Sequence, residues 1–287
     1  MAIALQEEST ISLVATTSDL NKTARPTILV FDSGVGGLSV YQEIWQLLPD
    51  LHYIYAFDNE AFPYGEKTAE VIIERVVKVV DTIQKKHPLA VVVIACNTAS
   101  TVSLPALRER FSFPVVGVVP AIKPAAKLTC NRVVGLLATR ATVNRDYTKE
   151  LITRFATGCQ VHSIGSAELV ELAEQKLHGK DVPREELVKI LKPWLRMEEP
   201  PDTVILGCTH FPLIAEELLQ VLPDGTRLID SGAAIARRTA WLIKNRDDLF
   251  LTTADSLAYC TKKETNSEAL RPVLRKYGFL TLEKLPT

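Results

Sequence analysis

The stretch VVVIACNTAS, residues 91–100, decides the fold because TVILGCTHFP at residues 203–212 answers it. Each is an apolar, β-branched run that ends in a small residue, a cysteine and a pair of hydrogen-bonding side chains. Short apolar runs of this kind read as strands buried on both faces, as in a parallel sheet. The two cysteines lie 112 positions apart. A chain that ends two distant strands in the same way points to two similar units.

Working outward from 91–100, TILVFD (27–32) reads as a strand that ends in Asp32 and runs into the glycine-rich turn SGVGG. The helix expected next carries Leu38, Tyr41, Ile44, Leu47 and Leu48 at helical spacing. HYIYAFD (52–58) is a second strand, VIIERVVKVVDTIQKK (71–86) an amphipathic helix, and AVVVIA (90–95) the strand that delivers Cys96. FPVVGVVPAIKPAAK then reads as a strand and a crossover. The plan repeats. RVVGLLAT (132–139) ends in Thr139, CQVHSIG (159–165) is followed by a helix with Ser166 as its N-cap, and REELVKILKPWL is a helix interrupted by Pro193. TVILG (203–207) delivers Cys208, and TRLID with SGAAIARRTAWLI returns the chain to the first unit.

This alternation predicts an α/β fold of two pseudo-symmetric open domains with mainly parallel sheets. The expected division is an N-terminal extension (1–24), a first domain (25–123 plus 237–287) and a second domain (124–236). From Asp32 to Cys96 is 64 residues and from Thr139 to Cys208 is 69. Ligands of open α/β sheets sit at the carboxyl ends of strands, so these four residues are expected to face one interdomain cleft, the active site.

Composition narrows the function. The 287 residues are 47% hydrophobic and 23% charged, as in a soluble globular protein with a sizeable core. A net charge of -1 gives no global reason to expect nucleic acid. No apolar run approaches the roughly 20 residues that span a membrane. The N-terminus, a largely polar extension, lacks the basic-then-apolar order of a signal peptide. A cytoplasmic location is expected.

The five cysteines, Cys96, Cys130, Cys159, Cys208 and Cys260, include no C-x-x-C pair and no zinc-like spacing. Cys130, Cys159 and Cys260 read as packing. Cys96 and Cys208 differ, since CNTAS and CTH set amide, hydroxyl and imidazole groups beside the thiol. Each also stands at a strand-to-helix turn, where free backbone N–H groups are expected to lower a thiol pKa. Three chemistries remain open on the residues alone. A cysteine hydrolase would use Cys208 with His210 and leave Cys96 unexplained. A redox dithiol would use both, though such pairs are usually close in sequence. Acid–base work on two faces of one carbon would also use both.

Seven segments carry a resemblance: FDSGVGGLSV (31–40), PYGEK (63–67), ACNTAS (95–100), GVVPAIKPA (117–125), LLATRATV (136–143), LGCTHFPL (206–213) and IDSGAAIA (229–236). In this order they resemble the cofactor-independent Asp/Glu racemase family, and within it the glutamate-specific branch. The resemblance implies interconversion of L- and D-glutamate for peptidoglycan synthesis, by two bases and without PLP or metal. It implies Cys96 and Cys208 as the bases, with Asp32, His210 and Glu174 assisting. Asp32 and Ser33 would meet the substrate ammonium and carboxylate. Tyr64 and Gly65 would wall and hydrogen-bond the site. Asn97, Thr98 and Thr209 would hold the carboxylates, with Thr139, Thr142 and His210 beside them. Gly34, Gly36 and Gly37 serve either a tight turn or the ligand.

The extension and the segment around GVVPAIKPA resemble the Gram-negative type of this family. In that type UDP-N-acetylmuramoyl-L-alanine activates the enzyme near the hinge, and Arg108 and Lys123 would meet its phosphates. Some members also bind DNA gyrase, an interaction role. A gyrase binder without catalysis should have lost one cysteine, and both are present. The enzymatic rival is a racemase of aspartate or another amino acid on the same fold.

Overall fold

The β-branched runs form eleven strands in the structure, a computed structural model that describes residues 23–286. Residues 1–22, most of the expected extension, lie outside the described residues. The strands are β1 (Arg25–Asp32), β2 (His52–Phe57), β3 (Val91–Ile94), β4 (Val115–Gly117), β5 (Val133–Ala138) and β6 (Gln160–Gly165). They continue with β7 (Thr203–Leu206), β8 (Arg227–Ile229), β9 (Leu251–Thr252), β10 (Leu257–Cys260) and β11 (Thr281–Lys284). Two sheets result. The larger runs β11-β10-β2-β1-β3-β4, all parallel, with β9 antiparallel against the start of β1. The smaller is parallel throughout, in the order β6-β5-β7-β8.

Counted from the first strand of each unit, β2-β1-β3-β4 and β6-β5-β7-β8 share the order 2-1-3-4. In such a sheet the chain leaves strand 1 towards one side and strand 3 towards the other, which opens a crevice between their carboxyl ends. Cys96 and Cys208 each follow a third strand. Asp32 ends one first strand, and Thr139 follows the other.

Each sheet is covered on both faces, as continuous apolar strands require. Along β1, Ile28 and Val30 face one core, while Leu29 and Phe31 face the other with Val92 and Ile94. The helix Ala69–Gln84 buries Ile72, Val76, Val79, Val80 and Ile83 at intervals of three and four. That spacing places one stripe against the sheet. In the second unit Leu137, Val204 and Leu206 face one core, and Val134, Leu136 and Ile205 the other.

The chain crosses between sheets twice. Going out, Val118 still packs in the first sheet's core, and Ala121 and Ile122 pack under the second. Coming back, Ile235 and Ala236 on the helix Gly232–Lys244 pack in the first core again. The two crossings touch, since the Ser231 hydroxyl donates to the Val119 carbonyl at 2.5 Å.

Three local expectations change. The helix Arg184–Leu195 runs through Pro193 rather than breaking there. Proline in the last turn removes only one intrahelical bond, and Leu187, Leu191 and Trp194 are buried on one face across it. Leu47 is exposed at the end of the helix Leu38–Leu47, whose inner face is Leu38, Val40, Tyr41 and Ile44. Ser166 does accept a bond from the Leu169 N–H at 3.0 Å, one residue ahead of the position formally preceding the helix Glu168–Leu177.

Candidate active site

Cys96 stands where β3 gives way to the helix Asn97–Arg110. Its own backbone is extended, so the thiol sits at the helix N-terminus and accepts from the Ala99 N–H at 3.4 Å. Ser33, just past β1, places its hydroxyl 3.6 Å from the same sulfur. Asp32 is fully buried, and its Oδ1 accepts from the Gly34 N–H at 2.9 Å. The neighbouring strand end is tied in as well, because the Asp58 N–H donates to the Asp32 carbonyl at 3.1 Å.

Cys208 is reached through Gly207, where a Cβ would stand 3.1 Å from that of Ala138 on the adjacent strand. The short 3-10 turn Phe211–Ile214 follows, not a long helix. Here the partner is ionisable. His210 Nδ1 lies 3.8 Å from the Cys208 sulfur, and His210 Nε2 lies 2.6 Å from Glu174 Oε1. Glu174 comes from the helix Glu168–Leu177 and turns inward to this imidazole.

Side chains from the two units then meet. Thr209 donates to Asp32 Oδ2 at 3.1 Å, and Ser39 donates to the Thr209 carbonyl at 2.8 Å. Thr98 lies 3.1 Å from Thr139 and 3.2 Å from Thr142, oxygen to oxygen, while Thr139 also caps its own helix through the Thr142 N–H. Gly65 packs against Thr139, 3.1 Å from where a Cβ would begin. Beside these groups is a cavity of about 200 Å³ lined by Asn97, Cys208, Thr209, Ser39 and Ser231. The Asn97 side-chain oxygen is buried there with no hydrogen-bond partner.

The glycines of SGVGG serve close approach. None of Gly34, Gly36 and Gly37 has a positive φ. A Cβ on Gly36 would stand 2.4 Å from His210 Nδ1, and one on Gly37 would stand 2.7 Å from the Asp32 Cβ. No side chain fits there without displacing the imidazole or the carboxylate.

Burial sets the electrostatics. It pushes Asp32 up to about 6, against His210, the Gly34 N–H and Thr209, which pull it down. Burial also pushes Cys96 up to about 12, reinforced by the Asp32 charge. The Ala99 N–H and Ser33 oppose this but are outweighed. The expectation of a lowered thiol pKa therefore fails at Cys96, because desolvation of a buried anion exceeds one helix-end N–H and one hydroxyl. His210 goes the other way. Burial disfavours its charge, yet Cys208 and Glu174 hold its pKa well above the usual value.

The structure thus brings Asp32, Ser33, Asn97, Thr98, Thr139, Thr142, Thr209, His210 and Glu174 around the two thiols. Tyr64 differs from expectation. It is buried, but its hydroxyl is engaged by Asp58, donating to Oδ2 at 2.6 Å. Arg108 lies elsewhere, donating to the Val115 carbonyl at 3.2 Å and lining a groove of about 590 Å³ with Gly117, Arg238 and Leu242. Lys123 is not on that groove; its ammonium lies over the Phe155 ring, 5.4 Å from the centroid. Ser39, Phe62 and Tyr55 were not singled out from sequence. Phe62 packs against the His210 ring at 5.7 Å between centroids, and the Tyr55 hydroxyl donates to the Gly34 carbonyl at 2.9 Å. A signal existed only for Ser39, which lies inside LSV, two residues past the last of the glycines.

No group of three or more His, Cys, Asp or Glu side chains among the described residues is placed to hold a metal ion. No helix among them is long and apolar enough to cross a membrane.

A family model described as Asp/Glu/Hydantoin racemase matches residues 28–239. The chain is 77% identical over 287 residues to a glutamate racemase of Photorhabdus laumondii subsp. laumondii, with 100% of each covered. It is also similar to the crystal structure of Escherichia coli glutamate racemase in complex with L-glutamate and the activator UDP-MurNAc-ala. That match has a TM-score of 0.89 and 69% identity, covering 91% of this chain and 98% of that one. Glutamate racemase from Thermus thermophilus in complex with β-chloro-D-alanine matches with a TM-score of 0.68 and 29% identity, over 91% and 96% of the two chains.

Proposed function

The chain belongs to the Asp/Glu/hydantoin racemase family, and from that membership we propose that it is an isomerase, a glutamate racemase, acting by proton transfer between two cysteines without a cofactor. The observation that carries this reading is the Asp32 carboxylate. It lies beside Ser33 and Cys96 and accepts from Thr209, the neighbour of Cys208. Two equivalent strand ends thereby converge on one anionic group, in a cleft between two domains (25–123 plus 237–287, and 124–236).

An amino acid bound there sets its ammonium against Asp32 and the orphaned Asn97 oxygen. Its carboxylates meet the hydroxyls of Ser33, Thr98 and Thr209, with Thr139 and Thr142 behind. One thiolate removes the Cα proton from one face, and the opposite thiol donates a proton to the other. The roles exchange in the reverse reaction. The ammonium also acts on the bases, since a cation beside Asp32 offsets the negative charge that helps hold Cys96 protonated. His210, whose pKa Cys208 and Glu174 together hold above the usual value, gives a thiolate at Cys208 a charged partner.

The high identity to glutamate racemases favours glutamate over aspartate. The chain would supply D-glutamate for peptidoglycan in the cytoplasm, with the muramoyl precursor as activator at the Arg108 groove. Chiral chromatography tests this with purified protein and L-glutamate, with and without UDP-N-acetylmuramoyl-L-alanine. D-glutamate should accumulate to equality with the L form, faster with the precursor, and L-aspartate should stay unchanged. Absence of D-glutamate under both conditions, or faster turnover of aspartate, would overturn the proposal.

A further inference from the structure

We infer that Asp58 is a positioning residue for substrate binding, which it serves by holding Tyr64 and, through it, the turn that carries Gly65. The inference rests on the racemase reading above. Asp58 follows β2, is fully buried, and stands beside Asp32 through the bond from its N–H to the Asp32 carbonyl. Nothing in the proton-transfer scheme uses it. A buried carboxylate is costly unless donors surround it, and four do. Tyr64 donates to Oδ2 at 2.6 Å, and Thr261 donates to Oδ1 at 2.7 Å. Arg75 grips both oxygens, Nε to Oδ2 at 2.5 Å and Nη2 to Oδ1 at 2.6 Å. Burial alone would raise the Asp58 pKa, but these donors hold it below the usual carboxylate range.

The arrangement fixes a particular object. Arg75 also reaches Glu60 at 2.8 Å, and its helix, Ala69–Gln84, begins just after the turn. The clamp therefore grips the segment before Tyr64, Tyr64 itself, and the helix that follows. Tyr64 packs in the same apolar core as Cys96, with its ring 6.3 Å from that of Phe31. Because its hydroxyl is engaged by Asp58, the part of this turn that meets the opposite unit is Gly65, against Thr139. Loosening the clamp shifts the wall of the cleft, while Cys96 is held by its own contacts to the Ala99 N–H and the Ser33 hydroxyl. Such a change weakens ground-state and transition-state binding alike, which raises KM and spares kcat.

A purely structural staple predicts something else, namely lower stability and fewer active molecules with KM intact. Steady-state kinetics of Asp58→Asn and Tyr64→Phe distinguish the two. Tyr64→Phe removes only the hydroxyl that meets Asp58. Both variants should raise KM for L-glutamate about tenfold and leave kcat within about threefold of wild type. The double variant should be no worse than the worse single one, because both changes break one contact. Arg75→Lys keeps the charge but loses the two-point grip, and should fall between wild type and Asp58→Asn. Should Asp58→Asn fail to fold, Tyr64→Phe decides by the same criterion. An active wild type with unchanged KM in the variants overturns the inference alone; an inactive wild type overturns the racemase reading.

Discussion

The ends of β3 and β7 are built on one plan and equipped differently. Both are third strands of a 2-1-3-4 sheet, and both end in a buried cysteine. Cys96 then caps a fourteen-residue helix, and its sulfur meets a hydroxyl and a backbone N–H. Cys208 runs into a short 3-10 turn containing Pro212, and its sulfur meets an imidazole backed by a carboxylate. The fold supplies symmetric placement, while the neighbours supply asymmetric proton chemistry. One thiol sits in a desolvated pocket beside a carboxylate, the other beside an imidazole whose pKa is raised.

The largest expected effect breaks the pair outright. Cys96→Ser and Cys208→Ser should each lower racemisation at least about a thousandfold with the fold intact, since a serine hydroxyl is far less acidic than a thiol. With β-chloroalanine, elimination needs abstraction from one face only. Each variant should then still eliminate from one enantiomer, and the two should prefer opposite enantiomers. The same preference in both would mean that the cysteines do not flank Cα from opposite sides.

Much of this site was legible in the sequence, for a physical reason. A strand buried on both faces must be continuously apolar, so Asp32, Cys96 and Cys208 stood out as the first polar or reactive groups after TILVF, VVVIA and TVILG. Periodicity likewise exposed the buried stripe of 69–84. What escaped depends on contacts distant in sequence. Gly36 looks like turn chemistry until the His210 ring is found against it. The raised pKa of Cys96 is set by burial that no local motif encodes. Tyr64 reads as a cleft residue until Asp58, itself gripped by Arg75, is found to accept from its hydroxyl. The closing strands β9, β10 and β11 are two to four residues long, and Thr281–Lys284 has a single buried residue, so no alternation marked it.

A smaller effect sharpens the Cys96 side. The Asp32 pKa is raised from 3.8 to about 6 by burial. Between these values the folded protein binds a proton that the unfolded chain has lost, so the contribution of Asp32 to stability falls as pH rises from about 4 to about 6 and is constant above. Asp32→Asn removes the titration and keeps an acceptor for the Gly34 N–H. The variant should gain on wild type across that window, by on the order of 2 kcal/mol at 1.36 kcal/mol per pKa unit. Urea unfolding of both proteins from pH 4 to 8 reads this directly. Parallel stability curves would show that Asp32 is not under strain in the fold.

The smallest effect sharpens the Cys208 side. Glu174 acts through His210 and touches neither thiol, and Glu174→Gln keeps an oxygen to accept from Nε2 while removing the charge. Burial opposes a charged His210, and Glu174 is among the groups that outweigh it. Without that carboxylate the imidazole should lose its proton at lower pH. On the proposed two-thiol mechanism, a Cys96→Ser background leaves Cys208 as the abstracting base, so elimination from β-chloroalanine isolates this half of the site. There the alkaline limb of the pH–rate profile should move to lower pH in Glu174→Gln. The rate loss should be about tenfold at pH 8 and shrink towards pH 6, where the imidazole is protonated in either protein. Glu171→Gln is the control. Glu171 lies one helical turn away and lines a neighbouring cavity with Glu174, so it offers a similar charge without the bond to His210. Equal displacement of the profile by both substitutions would reduce Glu174 to a diffuse surface charge. Displacement by Glu174→Gln alone would place the difference between the two thiols in the carboxylate–imidazole pair that only one of them has.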